Sequence, residues 1–190
     1  VDVVKVLLQH KANADLASND GATPLWMASQ NGHVDVVKVL LQHKANVDLP
    51  TNDSFTPLLM ASQLGHVEVL KVLLQHKANV DLADIDSTTP LWMASQNGHV
   101  EVVKVLMQHK ANVDLANSDG ATPLLMASQN FHVEVVKVLL QHKANVDLAR
   151  NDSFTPLLMA SQEGHVDVVK VLLQHKANAD LASNDGATPL

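Results

Sequence analysis

The chain is predicted to be an all-α solenoid: helix-turn-helix units stacked in a line, each carrying a projecting hairpin-like finger. Two observations carry that expectation. Residues 1–25 return letter for letter as 166–190, and between the copies one pattern recurs every 33 residues. Each period holds two short apolar stretches with helical spacing, divided by a turn and followed by a polar run. Units this short cannot enclose a core alone, so each must bury its apolar face on its neighbours. The 190 residues divide into one solenoid domain: a part unit at 1–17, full units at 18–50, 51–83, 84–116, 117–149 and 150–182, and a part unit at 183–190.

The unit 18–50 shows why each element should form. It opens with Ser18-Asn19-Asp20-Gly21, residues whose side chains and backbone freedom suit a tight turn, here the finger. Thr23-Pro24 then starts helix one, with a hydroxyl in the capping position and a proline where its missing N–H does no harm. This helix runs through Gln30 and stops at Asn31-Gly32, because glycine accepts the left-handed conformation that ends a helix. Residues 34–43 carry four valines in six positions, a strand-like composition. Spacing overrides it: Val36, Val37, Leu40 and Leu41 share one stripe of a 3.6-residue helix, and Asp35 sits near its positive end. So β-branched a helix depends on its neighbours' packing.

Composition narrows the function. With 46% hydrophobic and 17% charged residues the chain is globular, and no apolar run approaches the twenty or so residues needed to cross a bilayer. No membrane contact is expected. A net charge of −7, with 13 Lys and Arg scattered through the units, would repel a phosphate backbone, so nucleic acid is not an expected partner. Zero cysteines exclude disulfide and thiolate chemistry and favour an intracellular over a secreted setting. Asn52-Asp53-Ser54 and Asn151-Asp152-Ser153 match the glycosylation triplet but read as turns.

The eleven histidines resolve into two ladders, His33, His66, His99, His132, His165 and His10, His43, His76, His109, His142, His175. Rungs one helix spacing apart, roughly 8–10 Å, cannot share a zinc ion. The aspartates Asp20, Asp53, Asp86, Asp119, Asp152 and Asp185 form a third ladder. A calcium loop would want an acid five residues before Gly21, where Leu16 stands. Nor is there a Gly-rich phosphate loop or a nucleophile elbow. An active site needs a unique constellation, whereas nearly every polar residue here is copied in each unit; no catalytic residue, cofactor or metal is expected. The stripe Met27, Met60, Met93, Met126 and Met159 reads as packing between helices.

The residues Gly21-Ala22-Thr23-Pro24-Leu25, Ala28, Gly32-His33, Val36-Val37 and Leu40-Leu41, recurring through Val169 and Leu172-Leu173, resemble the ankyrin repeat, whose period is also 33. The resemblance spans essentially the whole chain. It implies two antiparallel helices and a finger per unit, and a concave groove of finger tips and inner helices that holds a partner protein. Three departures stand out. The histidine usual after TPL is replaced by Trp26, Leu59, Trp92, Leu125 and Leu158. The glycine that normally closes helix two is replaced by Lys11, Lys44, Lys77, Lys110, Lys143 and Lys176, so a differently shaped junction is expected there. Phe131 stands where other units have Gly32, Gly65, Gly98 and Gly164.

Copies of one scaffold differ where the scaffold does not dictate the residue. The differences cluster along the fingers and at the end of helix one, which nominates Phe55, Leu64, Asp84, Ile85, Thr88, Asn97, Asn130, Arg150, Phe154 and Glu163 as protein-binding residues. Phe55, Leu64, Ile85 and Phe154 are expected to be exposed, as apolar anchors for a partner pocket; Arg150 is the sole arginine. The expected function is therefore a non-catalytic protein-binding scaffold. The alternative is a structural or self-assembling segment of a longer array, natural or engineered, associating end to end through uncapped termini.

Overall fold

The computed structural model describes residues 1–189; Leu190, the last residue of the final part unit, lies outside them. Among the described residues there are eleven helices and no strand. The short helices are α2 (Pro24–Gln30), α4 (Pro57–Gln63), α6 (Pro90–Gln96), α8 (Pro123–Gln129) and α10 (Pro156–Gln162). The longer ones are α1 (Asp2–Gln9), α3 (Val34–Gln42), α5 (Val67–Gln75), α7 (Val100–Gln108), α9 (Val133–Gln141) and α11 (Val166–Gln174). The valine-rich segments are helices, as their spacing predicts.

Each short helix is started by its threonine. The Oγ1 atoms of Thr23, Thr56, Thr89, Thr122 and Thr155 accept the N–H of Trp26, Leu59, Trp92, Leu125 and Leu158 at 3.1–3.2 Å, and proline fills the first turn. The even-numbered helices form one row and the odd-numbered helices a second; neighbours within a row pack on one another, and each of α3, α5, α7, α9 and α11 packs on the short helix before it. Between the rows lies the main core, with Leu58, Leu91 and Leu124 facing Leu73, Leu106 and Leu139, all fully buried. A second apolar layer, including Leu59, Trp92, Met93, Leu125, Met126 and Met159, lies between the short-helix row and the fingers. Four of the five stripe methionines are buried, so the stripe packs as expected; Met27 is exposed. In α3 the buried set is Val37, Val39, Leu40 and Leu41, with Val36 only half-buried. The helix is flanked on both sides of its row, which widens the buried arc beyond one stripe.

The lysine junction departs from expectation. Lys11, Lys44, Lys77, Lys110, Lys143 and Lys176 all adopt φ between 64° and 67°, the left-handed conformation glycine usually supplies. Lys44 N–H reaches the Leu41 carbonyl at 3.0 Å and Ala45 N–H the Leu40 carbonyl at 3.1 Å, a complete Schellman closure. The contact between buried Ala45 and Leu40 and the two hydrogen bonds hold the lysine there against its Cβ penalty. Phe131 likewise keeps the shape of the glycines it replaces, with φ 60° and its ring 5.0 Å from that of His165.

Polar ties link each unit to the previous one. Nε2 of His66, His99, His132 and His165 lies 2.9 Å from the carbonyl of Gln30, Gln63, Gln96 and Gln129 in the preceding short helix. The carboxylates of Asp15, Asp48, Asp81, Asp114 and Asp147 accept the backbone N–H of Asn46, Asn79, Asn112, Asn145 and Asn178. This acid ladder, distinct from that of Asp20, is a tie the sequence reading missed. The second histidine set instead turns Nδ1 back to the carbonyl four residues earlier in its own helix.

Candidate functional site

Each finger is a tight hairpin. Ser18 N–H bonds to the Ala22 carbonyl at 3.0 Å and Gly21 N–H to the Ser18 carbonyl at 2.9 Å, with Gly21 left-handed. Ser54, Ser87, Gly120, Ser153 and Gly186 repeat that conformation. Fingers are joined in a row: the backbone N–H of Asn52, Ser118, Asn151 and Asn184 donates to the carbonyl of Asp20, Asp86, Asp119 and Asp152 at 2.9–3.0 Å. Among the described residues, Ile85 is the one later finger without this bond, and its side chain is 67% exposed.

The nominated residues fall into two rows flanking the short helices. At their C-terminal ends stand Leu64, Asn97, Asn130 and Glu163, all exposed C-caps. Asn97 and Asn130 fold Nδ2 back to the Met93 and Met126 carbonyls at 2.8 and 2.9 Å; Leu64 and Glu163 cannot repeat that bond as donors. Along the fingers stand Phe55, Asp84, Ile85, Thr88, Arg150 and Phe154. A seven-residue helix is about 10 Å long, so the two rows bound a strip of roughly that width.

Burial corrects three of these positions. Thr88 is 4% exposed: it occupies the finger slot of Ala22 and Ala121, covered by the apolar layer beneath. Phe55 and Phe154, expected to be free, are half-buried with their rings packed against that layer. Asp84 spends Oδ1 on the N–H groups of Asp86 and Thr88 inside its own turn. Arg150 is engaged within its finger, pairing in two hydrogen bonds with Asp152 while its guanidinium carbon lies 5.5 Å over the Phe154 ring. That pairing raises the Arg150 pKa and holds the Asp152 carboxyl below the ordinary range. Burial instead pushes Asp48 up, against the Asn79 N–H bond.

One cleft on this strip was not foreseen. It has a volume of about 250 Å³ and is lined by Asp20, Trp26, Thr51, Asp53, Phe55 and Met60 among others. Trp26 and Phe55 are 29 residues apart, and the same offset pairs Leu59 with Thr88, Trp92 with Ala121, Leu125 with Phe154 and Leu158 with Ala187. Only the first pair joins two aromatic rings. Where the partner is Ala121, the Trp92 indole N–H reaches its carbonyl at 2.9 Å; opposite Phe55 the Trp26 indole N–H is buried without a partner. The signal was available in the sequence, but only by setting each short helix beside the following finger. The Asp20 carboxyl is held below its usual range, first by the Ser18 hydroxyl and then by the Ala22 N–H.

Among the described residues no three His, Cys, Asp or Glu side chains gather as a metal-binding set. No helix among the described residues is long and apolar enough to cross a membrane. Comparison with family models gives one result throughout: ankyrin repeats in three copies match residues 1–84 and 76–152, and a single ankyrin repeat matches 152–184. No curated protein matches the chain.

Proposed function

This chain belongs to the ankyrin-repeat family, and from that premise we propose that it is a non-catalytic scaffold whose finger-side strip forms a concave groove holding a partner protein. Ankyrin repeats are in general protein-interaction scaffolds. One observation carries the finer reading: units that share their core residues differ in the two rows flanking the short helices, at Leu64, Asp84, Ile85, Arg150 and Glu163 among others. Stacking and the backward ties fix those rows before any partner arrives, so the groove loses little freedom on binding. The half-buried rings of Phe55 and Phe154 support the floor of the strip as well as offering an edge to a ligand. Affinity capture with the intact chain, beside a variant whose two rows are made uniform by copying unit 117–149, tests the reading. Proteins retained by the first and lost by the second support it; identical captures refute it.

A second reading rests on the outer helices. Val3, Val6 and Leu7 of α1, and Leu173 of α11, are exposed at positions that inner helices bury. We propose as the alternative that these faces stack on a further copy. A light-scattering mass that rises with concentration would favour it, and a monomeric mass throughout would remove it.

A further inference from the structure

Units 51–83 and 150–182 carry the same finger frame, Asn-Asp-Ser-Phe, preceded by Thr51 in one and Arg150 in the other. In the second, the frame's occupant is visible: the Arg150 guanidinium pairs with Asp152 and lies over Phe154 at 5.5 Å. In the first, Asp53 and Phe55 present the same carboxylate and ring, but Thr51 carries no cation to fill them. The space is a cleft of about 250 Å³ to which the preceding unit adds the Trp26 indole and the Asp20 carboxylate. Two carboxylates and two aromatic rings suit a cation, and an indole is the best ring for one within about 6 Å.

We propose that the cleft between Trp26 and Phe55 receives a basic side chain, arginine before lysine, from a segment of the partner protein. The proposal rests on the scaffold reading above and names the chemistry of what is bound. The incoming guanidinium takes the place over Phe55 that Arg150 takes over Phe154, and gains Trp26 where the sister frame has Leu125. A planar, weakly hydrated guanidinium both stacks on the rings and forks to a carboxylate, which an ammonium cannot do. The chain's overall charge of −7 adds attraction for a basic segment.

The test selects binders from a library of short random peptides displayed against the full chain, then measures the affinity of the selected peptides for four cleft variants and for one groove variant, Leu64→Asn with Ile85→Asn. Trp26→Leu and Phe55→Ala copy residues that sister units already hold, the double variant Asp20→Asn with Asp53→Asn removes the charge, and Thr51→Arg supplies an internal occupant. Thermal melts check that each variant remains folded. Arginine- or lysine-containing peptides whose affinity falls at least about tenfold in all four variants support the proposal. Thr51→Arg is the sharpest arm, since a folded chain with an occupied cleft should reject them. Peptides that bind the cleft variants unchanged but lose affinity to Leu64→Asn with Ile85→Asn overturn the cleft while leaving the groove standing. Peptides indifferent to every variant, or without a basic residue, overturn the proposal; indifference to both sets counts against the groove as well.

Discussion

Replacing the left-handed lysines by glycine should stabilise the chain. Lys44, Lys77, Lys110 and Lys143 sit at φ 64–67°, with exposed side chains that leave the two closing hydrogen bonds to the backbone. A residue with a Cβ loses about 1–2 kcal/mol in that conformation. Glycine removes this but returns about 0.5–1 kcal/mol through the greater freedom of its unfolded chain. The net is about 0.5–1 kcal/mol per site, and about 2–4 kcal/mol for the four, which lie in separate units and should add. With a urea dependence near 2 kcal/mol per molar, the unfolding midpoint should rise by about 1–2 M. The matching four-alanine variant removes the same four charges and keeps the strain, so it should show no such rise. Equal midpoints for the glycine and alanine variants would refute the account of the junction.

Other perturbations address the ties between units. His99→Ala deletes the bond to the Gln63 carbonyl across a unit boundary and should lower stability by about 1–2 kcal/mol in denaturant titrations. Ile85→Asn places at the interrupted finger the amide that Asn52 uses to reach the Asn19 carbonyl; it should add about 0.5–1 kcal/mol and slow hydrogen exchange in fingers two and three. Asp152 has a folded-state pKa below its ordinary 3.8, so the stability it contributes is present above that pH and is lost as pH falls through the lower, folded value. Asp152→Asn should therefore flatten the acid limb of the stability profile. Asp48, pushed up by burial, acts with the opposite sign, its protonation favouring the fold, and Asp48→Asn should steepen that limb.

The fold was readable because period, caps and turns are local properties: Thr23-Pro24 states a helix start without reference to anything distant. Burial in the fingers was not. Thr88 and Ala121 look alike to the eye as variable finger residues, yet both slots are closed by the layer beneath, and only the stacked units reveal it. The lysine junction misled for a different reason. The Cβ penalty argues against the left-handed state in isolation, while the buried Ala45–Leu40 contact and the closing bonds outweigh it in the array. The Trp26–Phe55 cleft depends on a pairing between units at an offset of 29, which reading along one unit cannot show.

The backward ties of histidine and aspartate are nearly the same at every boundary. A refolding chain therefore has little to tell one docking register from another: the short helix of one unit can accept the histidine of a unit two places on, or of a neighbouring molecule, with almost the correct chemistry. Slippage within one chain makes a kinetic trap that is independent of protein concentration, whereas mispairing between molecules makes one that fills faster as concentration rises. The few irregular residues at these seams, Phe131 against His165 and Ile85 in the finger row, are then the marks by which a correctly threaded array differs from a misaligned one.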